Sequence, residues 1–218
     1  MYRYIFFDLD GTLTDSKEGI LTSLRYAFEK LGRPVPGEAT LLQFIGPPLQ
    51  DTFTELGGLT REQALEALEV FRERYEPIGK FENAAAPGMP ELCGRLKQAG
   101  YVLALASSKP EQLCLDICER FGYTPSLSVI AGSPLHGDYT KADVIRDAFR
   151  RLGLCDGDRP SVLMVGDRKY DVLGAKECGV DCVGVEFFGY AAPGELEEAG
   201  AVAVARTAEE LERFILGH

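Results

Sequence analysis

Tyr4-Ile5-Phe6-Phe7 is an unbroken apolar run that ends abruptly in Asp8-Leu9-Asp10-Gly11-Thr12, two acids and a glycine turn. A short apolar run bounded by turn chemistry is the pattern of a strand covered on both faces. After Thr14 the period changes. Ile20, Leu24, Ala27, Phe28 and Leu31 recur at helical spacing and stop at Gly32, a natural C-cap. A Pro- and Gly-rich loop follows, then a second helical stretch ending near Gln43-Phe44-Ile45-Gly46-Pro47-Pro48. Thr60-Arg61-Glu62-Gln63 carries a capping-box signature, and Leu65, Leu68, Phe71 and Tyr75 give the helix behind it an apolar face. Residues 15–85 thus read as helices with no strand among them.

From Pro87 onward, helix and strand alternate. A helix with Met89, Leu92, Cys93 and Leu96 stops at Gly100, and a strand over 101–106 ends at Ser107-Ser108-Lys109. A helix opens after Pro110 and carries Leu113, Ile117 and Phe121. A weaker strand over 127–131 is followed by a helix over 141–152 with Val144, Ile145, Ala148 and Phe149. Val162-Leu163-Met164-Val165 leads into Gly166-Asp167 and a helix reaching Cys178; strands over 181–185 and 201–204 and a capped helix over 207–216 complete the pattern. Such alternation implies right-handed βαβ units, hence an α/β fold with a parallel sheet core over 1–14 and 86–218. The helical block at 15–85 is an insertion after the first strand.

Composition narrows the function classes. The 218 residues allow one well-buried core and a smaller second unit. No apolar run reaches the roughly 20 residues that span a bilayer, so no membrane role is expected. Met1 runs into the first apolar stretch with no basic leader or cleavage site, which sets the expectation of a cytoplasmic protein. The net charge of -11 disfavours long nucleic acids but not a small phosphorylated substrate, because a metal ion and one or two lysines reverse the field locally. The six cysteines lack zinc-site spacing, and free buried thiols are expected, Cys114 and Cys118 sharing one helix face. With His136 and His218 as the only histidines, there is little room for a His-based triad. Oligomeric state is not legible.

If the strands ending at Asp8, at Ser107-Ser108-Lys109 and at Gly166-Asp167 are neighbours, their polar ends meet in one crevice at the carboxyl edge of the sheet. That set combines a carboxylate nucleophile, phosphate-binding donors and a metal site. The Asp-x-Asp-Gly run also occurs in calcium loops, but Ser16-Lys17-Glu18-Gly19 does not supply the further ligands such a loop needs. Each remaining residue has a plainer reading beside the chemical one. Ser107 could cap the following helix, Lys141 could be a solvated lysine at a helix start, and Lys109 could be a surface charge.

Asp8-Leu9-Asp10-Gly11-Thr12, Ser107, Lys141 and Gly166-Asp167-x-x-x-Asp171 resemble, in order, the four motifs of the haloacid dehalogenase superfamily along the whole chain. Ile45-Gly46-Pro47-Pro48-Leu49, Ser107-Ser108-Lys109-Pro110 and the stretch from Glu195 to Ala201 are similar to its phosphoglycolate phosphatase-like group. One departure is Ala142, where relatives often have Pro after the lysine. The resemblance implies a Rossmann-like core with an α-helical cap over 15–85 closing on a small phosphomonoester, hinged at 15–16 and 84–87. It implies Asp8 as nucleophile, Asp10 as general acid and base, and Ser107 and Lys141 as catalytic partners. It implies substrate contacts from Leu9, Gly11, Thr12, Ser108 and Lys109. Mg2+ would be held by Asp8, by the Asp10 carbonyl and by Asp167, with Asp171 one layer out on a metal-bound water or a lysine. Lys17 and the Gly46-Pro47-Pro48 turn are weaker substrate candidates. The expected activity is hydrolysis of a small phosphorylated metabolite, phosphoglycolate or a nucleoside monophosphate, through an aspartyl-phosphate. A phosphomutase of the β-phosphoglucomutase type and a catalytically silent binding protein are the alternatives.

Overall fold

The computed structural model describes residues 1–135 and 139–217, so His136 and His218 lie outside the described residues. In chain order the elements are β1 (Tyr4–Phe7), β2 (Thr14–Asp15), α1 (Lys17–Lys30), α2 (Glu38–Leu42), α3 (Leu49–Glu55), α4 (Arg61–Tyr75) and β3 (Ala84–Ala85). They continue with α5 (Met89–Gln98), β4 (Val102–Pro110), α6 (Glu111–Arg120), β5 (Leu127–Ser133) and α7 (Lys141–Leu152). The last are β6 (Val162–Gly166), α8 (Lys169–Glu177), β7 (Asp181–Val185), α9 (Glu195–Ala199), β8 (Ala203–Ala205) and α10 (Ala208–Gly217). The chain divides into two compact units, one of residues 1–14 and 85–218 and one of residues 15–84.

The first unit is an α/β fold around a parallel six-stranded sheet in the order β5-β4-β1-β6-β7-β8. Alternate residues of β1 enter opposite layers, as side chains of period two must. Ile5 and Phe7 pack with Met89 and Leu92 of α5, Ile117 of α6, and Leu211 and Ile215 of α10. Phe6 packs with Val144 and Ile145 of α7 and Val172 of α8. Helices on both faces explain why β1 and β6 are continuously apolar rather than alternating. The register sets Tyr4 beside Val102 and Val162, and Phe7 beside Leu105 and Val165. The strands ending at Asp8, at Ser107-Ser108-Lys109 and at Gly166-Asp167 are therefore adjacent, which meets the condition for a shared crevice.

Differences from the sequence expectation have local causes. The strand expected over 101–106 continues to Pro110, with its register against β5 slipping between Ala106 and Pro110. Such irregularities re-aim side chains, and this one carries Ser107, Ser108 and Lys109. The last strand lies at Ala203–Ala205 rather than 201–204. Cys155 is exposed, while the other five cysteines are buried free thiols.

The second unit is built from α1, α2, α3 and α4. Phe28, Phe44 and Phe53 meet with ring centroids 5.5–6.3 Å apart. The Thr60 capping box forms as read. The buried face of α4, however, is Ala64, Ala67, Val70, Phe71 and Tyr75, and Leu65 is exposed. Small alanines let α1 and α4 approach closely, so a face chosen by the largest apolar residues is rotated from the packed one. The two-residue strands β2 and β3 pair with each other, a ribbon too short to show as periodicity. Lys17 pairs with Glu38 at 3.2 Å in this unit. Among the described residues, no helix is long and apolar enough to cross a membrane.

Candidate active site

The carboxyl end of β1 delivers Asp8 beside Val165, whose carbonyl accepts the Asp8 N–H at 2.9 Å. The chain then turns tightly. The Leu9 carbonyl accepts the N–H groups of Thr12, Leu13 and Thr14, and the Gly11 N–H donates to the Thr14 carbonyl at 2.8 Å. The N–H groups of Gly11 and Thr12, two of the residues expected to contact substrate, are thus engaged by the turn itself. Gly11 has φ +83, and a Cβ there would collide with the Asp167 carboxylate. This position needs glycine for both reasons.

Asp167 follows β6 and is 3% exposed. Among the described residues, neither of its carboxylate oxygens has a hydrogen-bond partner. Asp8, Asp167 and Asp171 bring carboxylate oxygens within 4.8 Å of one another. The Asp10 carboxylate points elsewhere, to the Lys109 ammonium at 2.7 Å. Lys109 is therefore not a surface charge, its side chain being 7% exposed.

Lys141, at the start of α7, is also buried rather than solvated. Its Nζ lies 2.7 Å from Asp8 Oδ1, 2.8 Å from Asp171 Oδ1 and 3.1 Å from the Ala106 carbonyl oxygen. Lys141 thus hydrogen-bonds β4 and pairs by charge with two carboxylates. The helix begins in a Thr140–Asp143 capping box. A Cβ at Gly174 would press on the Lys141 stem, so that glycine lets α8 and α7 close over it. Asp171 also accepts the Arg168 N–H at 3.0 Å, closing the first turn of α8.

Ser107 is buried, and its Oγ accepts the Lys109 N–H at 3.4 Å. No side chain caps α6, so the capping alternative does not hold for Ser107. The Ser108 carbonyl accepts the Ser133 hydroxyl at 2.8 Å. Thr12 Oγ1 is buried with no hydrogen-bond partner among the described residues.

The electrostatics follow from the count of charges. Fully ionised, three carboxylates against one ammonium would leave two uncompensated negative charges in a buried cluster. Burial first, then the Asp171 and Asp8 charges, push the Asp167 carboxyl well above the usual range. Burial likewise raises Asp171 to about 6, against the opposing pull of Lys141. Burial alone would lower Lys141, but Asp171 and Asp8 overcome it and hold the ammonium above its ordinary value. An all-oxygen cluster in which the charged acids outnumber the ammonium once ionised, with one carboxylate orphaned, fits a hard divalent cation.

Two residues beside this cluster were given no role by the sequence, Arg168 and Glu195. Arg168 is buried and pairs with Glu195 at 2.9 Å. No local signal marks Glu195, which stands among other acids in a helix too short for periodicity.

A Rossmann-like parallel sheet thus carries acids, a serine and two lysines at its carboxyl edge. The chain matches the haloacid dehalogenase-like hydrolase family over residues 5–185 and belongs to it. It is 40% identical over 196 residues to a 5'-nucleotidase of Pseudomonas aeruginosa, covering 89% of this chain and 87% of that one. It is 37% identical over 215 residues to tyrosine-protein kinase PtkA of Mycobacterium tuberculosis, covering 96% of this chain and 71% of that one. A solved structure of a predicted phosphatase from Clostridium acetobutylicum superposes with a TM-score of 0.93 at 38% identity, with 100% of each chain covered. Within the family the chain stands with the phosphoric monoester hydrolases.

Proposed function

We propose that the protein is a Mg2+-dependent phosphatase that hydrolyses a small phosphomonoester through a phosphoryl group carried on Asp8. The orphaned Asp167 carboxylate is the observation that carries the metal reading, because a buried acid with no partner is costly unless a cation completes it. Asp8 and Asp167 are the side chains that would hold the ion, together with the Asp10 carbonyl, and Asp171, engaged by Lys141 and the Arg168 N–H, would stand one layer out. When bound, Mg2+ supplies positive charge that offsets repulsion between carboxylate and phosphate.

The chain's own groups account for the remaining steps. Lys141 fixes the Asp8 carboxylate in one orientation. An Asp8 oxygen attacks phosphorus, the bond from phosphorus to the leaving oxygen breaks, and Asp10 delivers a proton to that oxygen. Asp10 then accepts a proton from the water that attacks the aspartyl-phosphate, which releases inorganic phosphate and restores Asp8. Before substrate enters, Lys109 neutralises Asp10; its ammonium and the Ser107 hydroxyl are the donors available to the phosphate oxygens. The helical unit, inserted between the strand carrying Asp8 and the rest of the core, is read as a cap that supplies specificity.

The nucleotidase relative favours a nucleoside monophosphate as the first substrate to test, with phosphoglycolate second. The kinase relative supports a second reading, transfer of the phosphoryl group to a tyrosine hydroxyl in place of water. A panel of nucleoside monophosphates, phosphoglycolate, sugar phosphates and pyrophosphate, assayed for phosphate release with and without Mg2+, separates these. Metal-dependent release names the substrate class. Turnover only with an added sugar bisphosphate indicates a mutase, and phosphoryl transfer to a tyrosine peptide without release indicates the kinase reading. Release that is indifferent to metal contradicts the proposal.

A further inference from the structure

The steps above leave one buried ion pair unused. Arg168 Nε lies 2.9 Å from Glu195 Oε1, with side chains 7% and 11% exposed. The same Glu195 oxygen accepts the Lys169 N–H at 2.9 Å, and Oε2 accepts the Ala192 N–H at 3.1 Å. Burial pushes the Glu195 carboxyl up, but hydrogen bonds from Arg168, Lys169 and Ala192 outweigh it and hold the group below its ordinary value. One carboxylate therefore ties the loop before α9 to the two residues that directly follow Asp167.

A pair buried this deeply is poor evidence of stabilisation, because desolvation offsets most of the attraction between the charges. Its place in the fold points to geometry. Asp167 has no hydrogen bond of its own among the described residues, so its direction depends on the backbone that carries it. On the β6 side the strand ladder fixes that backbone. On the far side the turn is closed by Asp171, which accepts the Arg168 N–H while its other oxygen serves Lys141. Asp171 is thus shared between the turn and the acid cluster, and an ion entering the cluster would draw on it. Glu195 holds residues 168 and 169 from outside the cluster, with acceptors that no other group in the site uses.

We propose that Glu195, acting through the Arg168 guanidinium and the Lys169 amide, is a positioning residue that holds Asp167 in register for the divalent cation. The inference rests on the Mg2+ reading. Mg2+ demands near-ideal octahedral geometry, so a small rotation of one carboxylate weakens the site. Partners that orient metal ligands typically contribute 10–100-fold in metal affinity.

The test is calorimetric titration of the full chain with Mg2+ alone, without substrate. Glu195→Gln keeps the shape and removes the charge, and Glu195→Ala removes both. Glu212→Ala is the control: it breaks the Arg95–Glu212 pair (2.7 and 2.8 Å), which joins α5 to α10. Expected are a Mg2+ Kd raised about tenfold or more in both Glu195 variants and unchanged in the control. The thermal midpoint gained on adding Mg2+ should shrink in the same two variants. Should Glu195→Ala not fold, Glu195→Gln carries the result alone. A parental Kd in Glu195→Gln overturns the positioning role and leaves the metal reading standing. A parent that binds no Mg2+ overturns both.

Discussion

The Lys109 ammonium stands 2.7 Å from the Asp10 carboxylate, both side chains nearly sealed from solvent. The pair joins the bulged end of β4 to the turn after β1, and under the proposed function Lys109 would have two tasks: neutralising Asp10 before substrate enters and meeting phosphate afterwards. Lys109→Met keeps the apolar stem and removes both. kcat/KM should fall roughly 10–100-fold, most of it in KM, since a charge-assisted contact to phosphate is worth about 1.5–3 kcal/mol. Steady-state kinetics check this, and parental kinetics would return Lys109 to a bystander.

Lys141 is the only cation that the acid cluster keeps for itself among the described residues. Lys141→Ala leaves Asp8 and Asp171 buried and uncompensated, and removal of one partner from a buried pair costs about 3–5 kcal/mol. The thermal midpoint in chelator should drop by roughly 6–20 °C at 2–4 °C per kcal/mol. A change within a degree or two would mean that the lysine is dispensable to the resting cluster.

The glycine in the first turn admits a matched comparison. Gly11 and Gly122 share a left-handed backbone, φ +83 and φ +79, but only at Gly11 would a Cβ strike Asp167, whereas at Gly122 it meets open space. Gly122→Ala therefore reports backbone strain alone, about 1–2 kcal/mol. Gly11→Ala should lower stability further and abolish turnover. Equal effects on denaturant midpoint and rate would show that the approach of Asp167 imposes nothing.

Asp167 and Asp171 both titrate above the ordinary carboxylate range in the folded protein, Asp171 at about 6, with burial the first cause. A folded pKa above the unfolded one contributes stability that is full below about pH 4 and is lost as pH rises through the folded value. In chelator, the parent should thus lose thermal midpoint relative to Asp167→Asn, which has no charge to bury, as pH rises above the ordinary carboxylate range. Added Mg2+ should close the gap at the alkaline end. Parallel curves for the two proteins would contradict the uncompensated-acid account.

How far the sequence carried this picture can be read element by element. Asp8 was legible because an apolar run ending in acids is a local pattern, whereas the adjacency of β4, β1 and β6 was only a condition, since helix–strand alternation implies parallel strands but not their order. Lys141 was legible as a position but not in its surroundings. Its burial comes from Gly174 and Asp171, some thirty residues on, and spacing says nothing of a contact at that distance. The true face of α4 was hidden because Ala64 and Ala67 pack more closely than the leucines beside them. Lys109 could be read as a surface charge only because the bulge after Ala106, which aims it inward, leaves no mark on hydropathy. Glu195 was out of reach for the same reason as Lys141, since its partners stand 26 and 27 residues earlier.

The central claim is that Asp8 carries the phosphoryl group. The direct measurement is an acid quench during turnover of the preferred phosphomonoester with Mg2+, followed by peptide mass spectrometry, with Asp8→Asn run beside the parent. The account predicts one phosphoryl group on the peptide containing Asp8 in the parent, and neither adduct nor phosphate release in the variant. Phosphate release by Asp8→Asn at the parental rate, or a phosphoryl group on any other residue, would contradict it.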